Sequence, residues 1–300
     1  MFVTVAICTW NRSALLRQAL EQMTKLVIPP GLEWELLVVN NNSTDATDKV
    51  IASYAPRLPV RRLFQATPGK SRALNLAVRE ARGEYILLTD DDALVDENWM
   101  AAYVRAIKQW PGAAFFGGPV RPAFAALPPT WLRQAWPLIA GAYAERDLGT
   151  QAVPFRGGDH IPYGVNWAVR LKEHRAYLYD PSLGRQPGKR IGGEDDALVG
   201  ALLADGYEGW WVPEAIVQHY VPVERMKTRY IRSYYMGHGE FVHHKSPPWD
   251  GPVLFGRPRW LWKHAVLAEA KYRARRLVSP PEVWIRDLIT ASRAWGQLLA

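Results

Sequence analysis

The first 120 residues switch repeatedly between two periodicities, and this constrains the fold more than any other feature of the chain. The runs "FVTVAICT" (2–9), "WELLVVN" (34–40), "VRRLF" (60–64) and "YILLT" (85–89) are short and β-rich. Each is followed by a helix-like segment, over 13–26, 44–54, 70–81 and 97–109. Strands alternating with helices predict right-handed βαβ units, hence an α/β fold with a mostly parallel central sheet and helices on both faces. Ligands of such sheets sit in the crevice beyond the carboxyl ends of the strands. Those ends read "TWNR" (9–12), "NNNSTD" (40–45) and "TDDD" (89–92), with "ATPGKSRALN" (66–75) after the third strand. All are polar, so the topology directs them toward one shared crevice.

Beyond residue 120 the pattern loosens. "RPAFAALPPTWLRQAWP" (121–137) reads as loop plus short helix, "YGVNWAVR" (163–170) as a strand, and "GGEDDALVGALLADG" (192–206) as a loop opening a helix. "GWWVPEAIVQHYV" (209–221) reads as one further apolar strand, and from Glu224 the chain reads as helical, broken at 245–252 and 279–282. With 300 residues, 48% of them hydrophobic, the chain can bury a full core. No apolar stretch approaches the roughly 20 residues that span a bilayer, and no basic leader precedes the first strand, so neither a signal peptide nor a transmembrane helix is expected. The single cysteine, Cys8, excludes an intramolecular disulfide, and a cytoplasmic location is the expectation.

Two acidic groups stand out. Asp90, Asp91 and Asp92 crowd like charges at a strand end, where oxygen ligands suit a hard divalent ion such as Mg²⁺ or Mn²⁺. The competing reading is an acidic turn before the next helix. Glu194, Asp195 and Asp196 begin a helix, where the dipole alone favours carboxylates, yet a carboxylate there can also act as general base toward a hydroxyl. No GxGxxG follows the first strand, which excludes a Rossmann dehydrogenase.

Taken in order, "VTVAICTWNR", "LLVVNNNSTDAT", "PGKSRALNLAV", "GEYILLTDDDALVDENW", "YGVNWAVR", "YDPSLGR", "GGEDDAL" and "WVPEAIVQHYV" resemble the family 2 glycosyltransferases from Met1 to about Val223. The resemblance implies a GT-A fold over 1–223, with a nucleotide-sugar-binding half (1–120) and an acceptor and catalytic half (121–223), followed by a basic, Trp-rich helical extension (224–300). It implies an inverting transfer from a nucleoside-diphosphate sugar, UDP-sugar favoured, to a hydroxyl of a glycan, lipid-linked or small-molecule acceptor. Thr9 and Asn11 would lie beside base and ribose, with Asn40 and Asn41 at the base edge, where relatives commonly carry aspartate. Lys70 and Arg72 would approach the diphosphate. Asp90 and Asp92 match the DxD motif, Asp92 as direct metal ligand and Asp90 at the ribose or a water-mediated metal contact, with Asp91 between them among the nucleotide-sugar-binding residues. Asp195 matches the catalytic base and Glu194 would position the acceptor or the loop. His219 matches a downstream histidine that contacts metal or diphosphate in some relatives, although a lone histidine at a strand end is commonly structural.

Acceptor contacts are expected from Trp131, Trp136, 154–164 and 183–190. The net charge of +8 is concentrated after residue 224, where 14 Lys and Arg face 5 Asp and Glu. A basic segment rich in tryptophan suits an anionic membrane surface or nucleic acid, so peripheral contact with the inner face of a membrane through 253–300 is one expectation. Packing helices or a homo-oligomer interface are the others. No nucleic-acid motif accompanies the charge, and none is expected as partner. The remaining alternative is a nucleotide-sugar-binding protein without catalysis.

Overall fold

A computed structural model of the chain describes all residues except residue 159, residues 185–191 and residue 248. Two compact units emerge. The first holds Met1–Ala123, Ala144–Ser182 and Glu194–Tyr220, and the second holds Phe124–Tyr143, Leu183–Gly193 and Val221–Ala300.

In the first unit, β1 (Phe2–Thr9), α1 (Ser13–Met23), β2 (Glu33–Asn40), α2 (Thr47–Tyr54), β3 (Val60–Phe64), α3 (Lys70–Glu80) and β4 (Tyr85–Asp90) alternate as the periodicity predicts. There follow β5 (Ala93–Val95), α4 (Trp99–Gln109), β6 (Phe115–Gly117) and β7 (Val120–Phe124), whose last residue is assigned to the second unit. After α5 (Thr130–Gln134) and α6 (Trp136–Ile139) of the second unit come β8 (Asn166–Arg170), α7 (Leu171–Ala176), α8 (Glu194–Ala204), β9 (Gly209–Trp211) and β10 (Val217–Val221). A seven-stranded sheet has the order β3-β2-β1-β4-β8-β6-β9. Strands β1 to β4 are parallel, while β8 runs antiparallel between β4 and β6.

The strand alternation sorts side chains onto two cores. Val3, Val5 and Ile7 of β1 pack with Leu16 and Leu20 of α1 and Tyr103 and Ile107 of α4. Ala6, with Leu37, Val39, Ile86 and Leu88, packs on the opposite face with Ala73 and Ala77 of α3 and Leu198 and Leu202 of α8. Truncating one of these fully enclosed leucines to alanine would cost about 2–5 kcal/mol. This double burial holds the β1, β2 and β4 ends rigidly side by side, with Thr9 paired to Asn40 and Cys8 to Asp90.

The expected single strand over 209–221 is two strands in different sheets. Its middle carries Pro213, which lacks a ladder donor, and β10 leaves to pair antiparallel with β5, setting His219 opposite Ala93. The expected helices over 13–26 and 44–54 are shorter, ending at Met23 and starting at Thr47. At the second, Asp45 Oδ1 accepts the backbone N–H and hydroxyl of Thr47 and so fixes the turn before the helix.

The second unit contains α9 (Thr228–Lys245), β11 (Val253–Leu254), β12 (Arg257–Pro258), α10 (Arg259–Val278) and α11 (Pro281–Leu299). The β11–β12 hairpin was not expected from the sequence, because two-residue strands carry no periodicity. Helices α9 and α11 cross closely. A Cβ on Gly239 would fall 2.1 Å from the Arg293 carbonyl oxygen, and one on Gly296 would fall 2.0 Å from that of Met236. Tyr143, Ile231, Tyr235, Trp284 and Leu288 are among the buried residues of this unit's core. Among the described residues, no helix is long and apolar enough to cross a membrane.

Candidate active site

The polar crevice is built where β1 and β4 end and α3 and α8 begin, beside the middle of β10. Thr9 closes β1, and its buried hydroxyl donates to Asp91 Oδ2 at 2.7 Å. Arg12, just beyond, donates from Nη1 to Asp91 Oδ1 at 2.9 Å and to Asp92 Oδ2 at 3.1 Å. His219 on β10 sets Nε2 3.4 Å from Asp92 Oδ1. Arg12 of "TWNR" is not among the residues expected from the sequence to form the site. A cation at the end of the first strand, facing three acids at the end of its neighbour, was the available signal.

Gly69 launches α3 with φ 145°, which side-chain-bearing residues rarely adopt, and the next residue is Lys70. The Lys70 ammonium stands 3.6 Å from Asp90 Oδ1 and 3.6 Å from Glu194 Oε1. It therefore ties the β4 carboxylate to the first turn of α8. Arg72, two residues later in α3, is solvent-exposed.

Asp195 is half-buried beside Glu194, while Asp196 is exposed. Its carboxylate lies on the backbone of Gly164, where an added Cβ would meet Oδ2 at 2.1 Å. Asp195 Oδ1 is enclosed and accepts no hydrogen bond among the described residues. Burial raises this carboxyl well above its ordinary range, Lys70 opposes the rise, and Glu194, Asp90 and Asp196 add to it. Burial likewise pushes Asp91 up to about 6 against the pull of Arg12. Around Arg12 itself burial disfavours charge, but Asp91 and Asp92 outweigh it and hold the guanidinium charged.

At the β2 end, the Asn40 amide donates to Asp48 Oδ1 at 2.7 Å while its oxygen accepts the Ser43 N–H at 2.8 Å. Asn11, in the left-handed region at φ 51°, accepts the Thr44 N–H at 2.7 Å. These two side chains shape the 40–45 turn. Asn41 differs: its backbone N–H donates to the Thr9 carbonyl, and its enclosed side-chain oxygen accepts no hydrogen bond among the described residues.

Arg12 and Lys70 face the carboxylates of Asp90, Asp91, Asp92, Glu194 and Asp195, so negative charge is in excess. Among the described residues, no three His, Cys, Asp or Glu side chains stand together as a ready ligand set. The donor chemistry fits a hard divalent ion held by one or two carboxylates, with diphosphate oxygens as its other ligands. Of the segments expected to contact an acceptor, residues 185–190 and residue 159 lie outside the described residues. Trp131 and Trp136 belong to the second unit, packed against Trp284 and Tyr143 respectively.

Known proteins share both this sequence pattern and this architecture. Across 252 residues the chain is 23% identical to the succinoglycan biosynthesis protein ExoM of Rhizobium meliloti (strain 1021), over 82% of this chain and 77% of that one. It is 34% identical over 98 residues to a beta-monoglucosyldiacylglycerol synthase of Nostoc sp. (strain PCC 7120 / SAG 25.82 / UTEX 2576), over 31% of this chain and 21% of the relative. A mannosyltransferase from Pyrobaculum calidifontis, PcManGT, solved in complex with GDP-Man and Mn²⁺, superposes with a TM-score of 0.65 at 19% identity, over 99% of this chain and 86% of that one. S. aureus TarS 1-349, solved with UDP-GlcNAc, gives 0.58 at 17% identity, over 93% and 74%. The architecture is the GT-A fold of such glycosyltransferases. The family described as Glycosyl transferase family 2 matches residues 4–170, more than half of the chain, and the protein belongs to that family of glycosyltransferases.

Proposed function

We propose that this glycosyltransferase moves a sugar from a nucleoside diphosphate, uridine favoured, to a hydroxyl acceptor by a single inverting displacement with Asp195 as general base. The observation that carries the reading is the Asp195 carboxylate, held on the Gly164 backbone, with one enclosed oxygen that no described protein group satisfies. A carboxylate with a raised proton affinity and an unsatisfied acceptor oxygen is suited to take a proton from an attacking hydroxyl.

The other residues divide the work. Asn41 would accept from the imide N–H of the base, and Asn11, Asn40 and Thr9 would serve the nucleotide through the turn and strand end they brace. Lys70 would turn toward the diphosphate, helped by Arg72, and balance the charge of the departing group. Asp92, with Asp90 and His219 beside it, would hold Mn²⁺ or Mg²⁺, which when bound supplies positive charge to the leaving diphosphate. Asp91, with Arg12 and Thr9, would keep Asp92 in place, and Glu194 would position the α8 end. The acceptor class remains a glycan, a lipid-linked sugar or a small molecule.

Two measurements test this. A thermal-shift panel of UDP-, GDP- and dTDP-sugars, with and without Mn²⁺, should show a selective rise for one donor, because a ligand bound only by the folded state stabilises it. Asp195→Asn should lower turnover about a hundredfold or more while the donor-induced shift persists. Near-normal turnover in that variant would overturn the assignment.

A further inference from the structure

We propose that the β11–β12 hairpin and the outward face of α10 form a docking surface for an anionic lipid bilayer. The turn of the hairpin is Phe255–Gly256, both with positive φ, 50° and 73°. Such two-residue turns select asparagine or glycine, because a Cβ is strained in the left-handed region. Phenylalanine here gains little burial in return: it is 84% exposed, with one edge contact to Trp262 at 5.9 Å. An aromatic ring held at a strained, solvent-facing tip points to a partner that covers it.

The tip is firmly mounted. The Trp262 indole N–H donates to the Leu254 carbonyl at 2.8 Å, tying the hairpin to α10. Around it, Trp249 and Trp260 meet edge to face at 6.2 Å and are each 51% exposed. Further along α10, Leu267 is 58% exposed and Leu277 85%. Tryptophans near an apolar tip with aliphatic residues beyond are the pattern of an interfacial membrane helix.

Charge complementarity fixes the chemistry of the partner. Between Lys245 and Arg276 the sequence holds eight Lys and Arg but only Asp250 and Glu269 as acids. Glu269 pairs with Arg232 and Arg273, and Asp287 pairs with Lys271 and Arg275, so the charge the surface offers is concentrated at the hairpin end of α10. Arg259 and Lys263 are exposed on the first turns of α10, next to the tip. Cations bordering an apolar wedge suit anionic headgroups above acyl chains. Single-stranded nucleic acid would use the tryptophans and the cations, but it would leave Leu267, Leu277 and the strained Phe255 unexplained.

Co-sedimentation of the full chain with vesicles, without donor or acceptor, tests the surface separately from the proposed transfer. Vesicles of phosphatidylcholine alone are compared with vesicles containing phosphatidylglycerol, and single-stranded DNA serves as competitor. Wild type should partition onto the anionic vesicles, and the binding should weaken with salt. Phe255→Asn should bind about tenfold more weakly, with an unchanged or higher melting temperature because asparagine tolerates the turn. Arg259→Glu combined with Lys263→Glu should lose most of the salt-sensitive component. Absence of vesicle binding by wild type, retention of full binding by Phe255→Asn, or binding of DNA without vesicle binding would each overturn the proposal.

Discussion

Gly164 and Asp195 are in van der Waals registry: an added Cβ on the glycine would sit 2.1 Å from the carboxylate oxygen Oδ2 and 2.4 Å from Cγ. No rotation of a methyl group relieves such an overlap, so Gly164→Ala must displace the Asp195 carboxylate or the start of β8. The proton acceptor moves while Asn41 and Lys70 stay. Gly164→Ala is expected to lower kcat at least tenfold, since misplacement by about 1 Å can cost a hundredfold. Donor binding followed by thermal shift should change little. Full kcat in this variant would remove Asp195 from the proposed role.

The pH dependence of transfer follows from the same carboxylate. Burial raises its proton affinity in the folded protein, so the ionised base is populated only above the range where an exposed aspartate ionises. The acid limb of kcat/KM should therefore lie higher than for an ordinary carboxylate, with activity rising as pH rises through it. Lys70 is the nearby cation that holds the limb down. Lys70→Met should reduce activity and also move the limb to higher pH. A limb that stays in place or moves down would disprove the coupling, whatever happens to the rate.

Arg12 bridges Asp91 and Asp92 with two short contacts from one guanidinium nitrogen. Arg12→Ala would leave Asp91, 3% exposed, with the Thr9 hydroxyl as its remaining described partner. Loss of a charged partner from a buried group costs about 1–3 kcal/mol, so the melting temperature should fall. If Asp92 is the divalent-ion ligand, Mn²⁺ should recover more of the loss in this variant than it adds to wild type. Equal melting temperatures without metal would show that Arg12 contributes no net stability.

How far the sequence foretold all this depends on the range of the contacts. Strands β1 to β4 were legible because one alternating run buries both faces, with Val5 and Ala6 of β1 on opposite cores. The acids were legible as groups because each is contiguous. What joins them was not: Lys70 reaches Asp90 and Glu194 only after the sheet has brought three distant segments together. The role of Arg12 is hidden for the same reason, since its partners lie at the end of the neighbouring strand. Asn40 and Asn41 are adjacent and identical in type, yet one is spent on Asp48 and Ser43 while the other keeps an enclosed oxygen with no hydrogen-bond partner among the described residues. Nothing local separates them. Pro213 is a local break in the 209–221 run, and it separates β9 from β10.

Stability at low pH should depend on His174. This residue of α7 is fully buried between Trp167 and Tyr179, with Nδ1 3.1 Å from the Tyr177 carbonyl and no described partner for Nε2. The carbonyl can only accept, so Nδ1 carries the proton and the ring is neutral. Burial depresses its pKa from 6.5 to about 4. The unfolded chain therefore takes up a proton before the folded one does. The stabilisation is fully present above the unfolded value of about 6.5 and is lost as pH falls toward 4, amounting to about 3 kcal/mol. His174→Asn retains a donor near the Nδ1 position and removes the titration. Its urea-unfolding free energy should lie below wild type at neutral pH because of the vacated volume, but it should decline less between pH 6.5 and 4. Parallel declines in the two proteins over that interval would show that His174 does not govern the acid limb of stability.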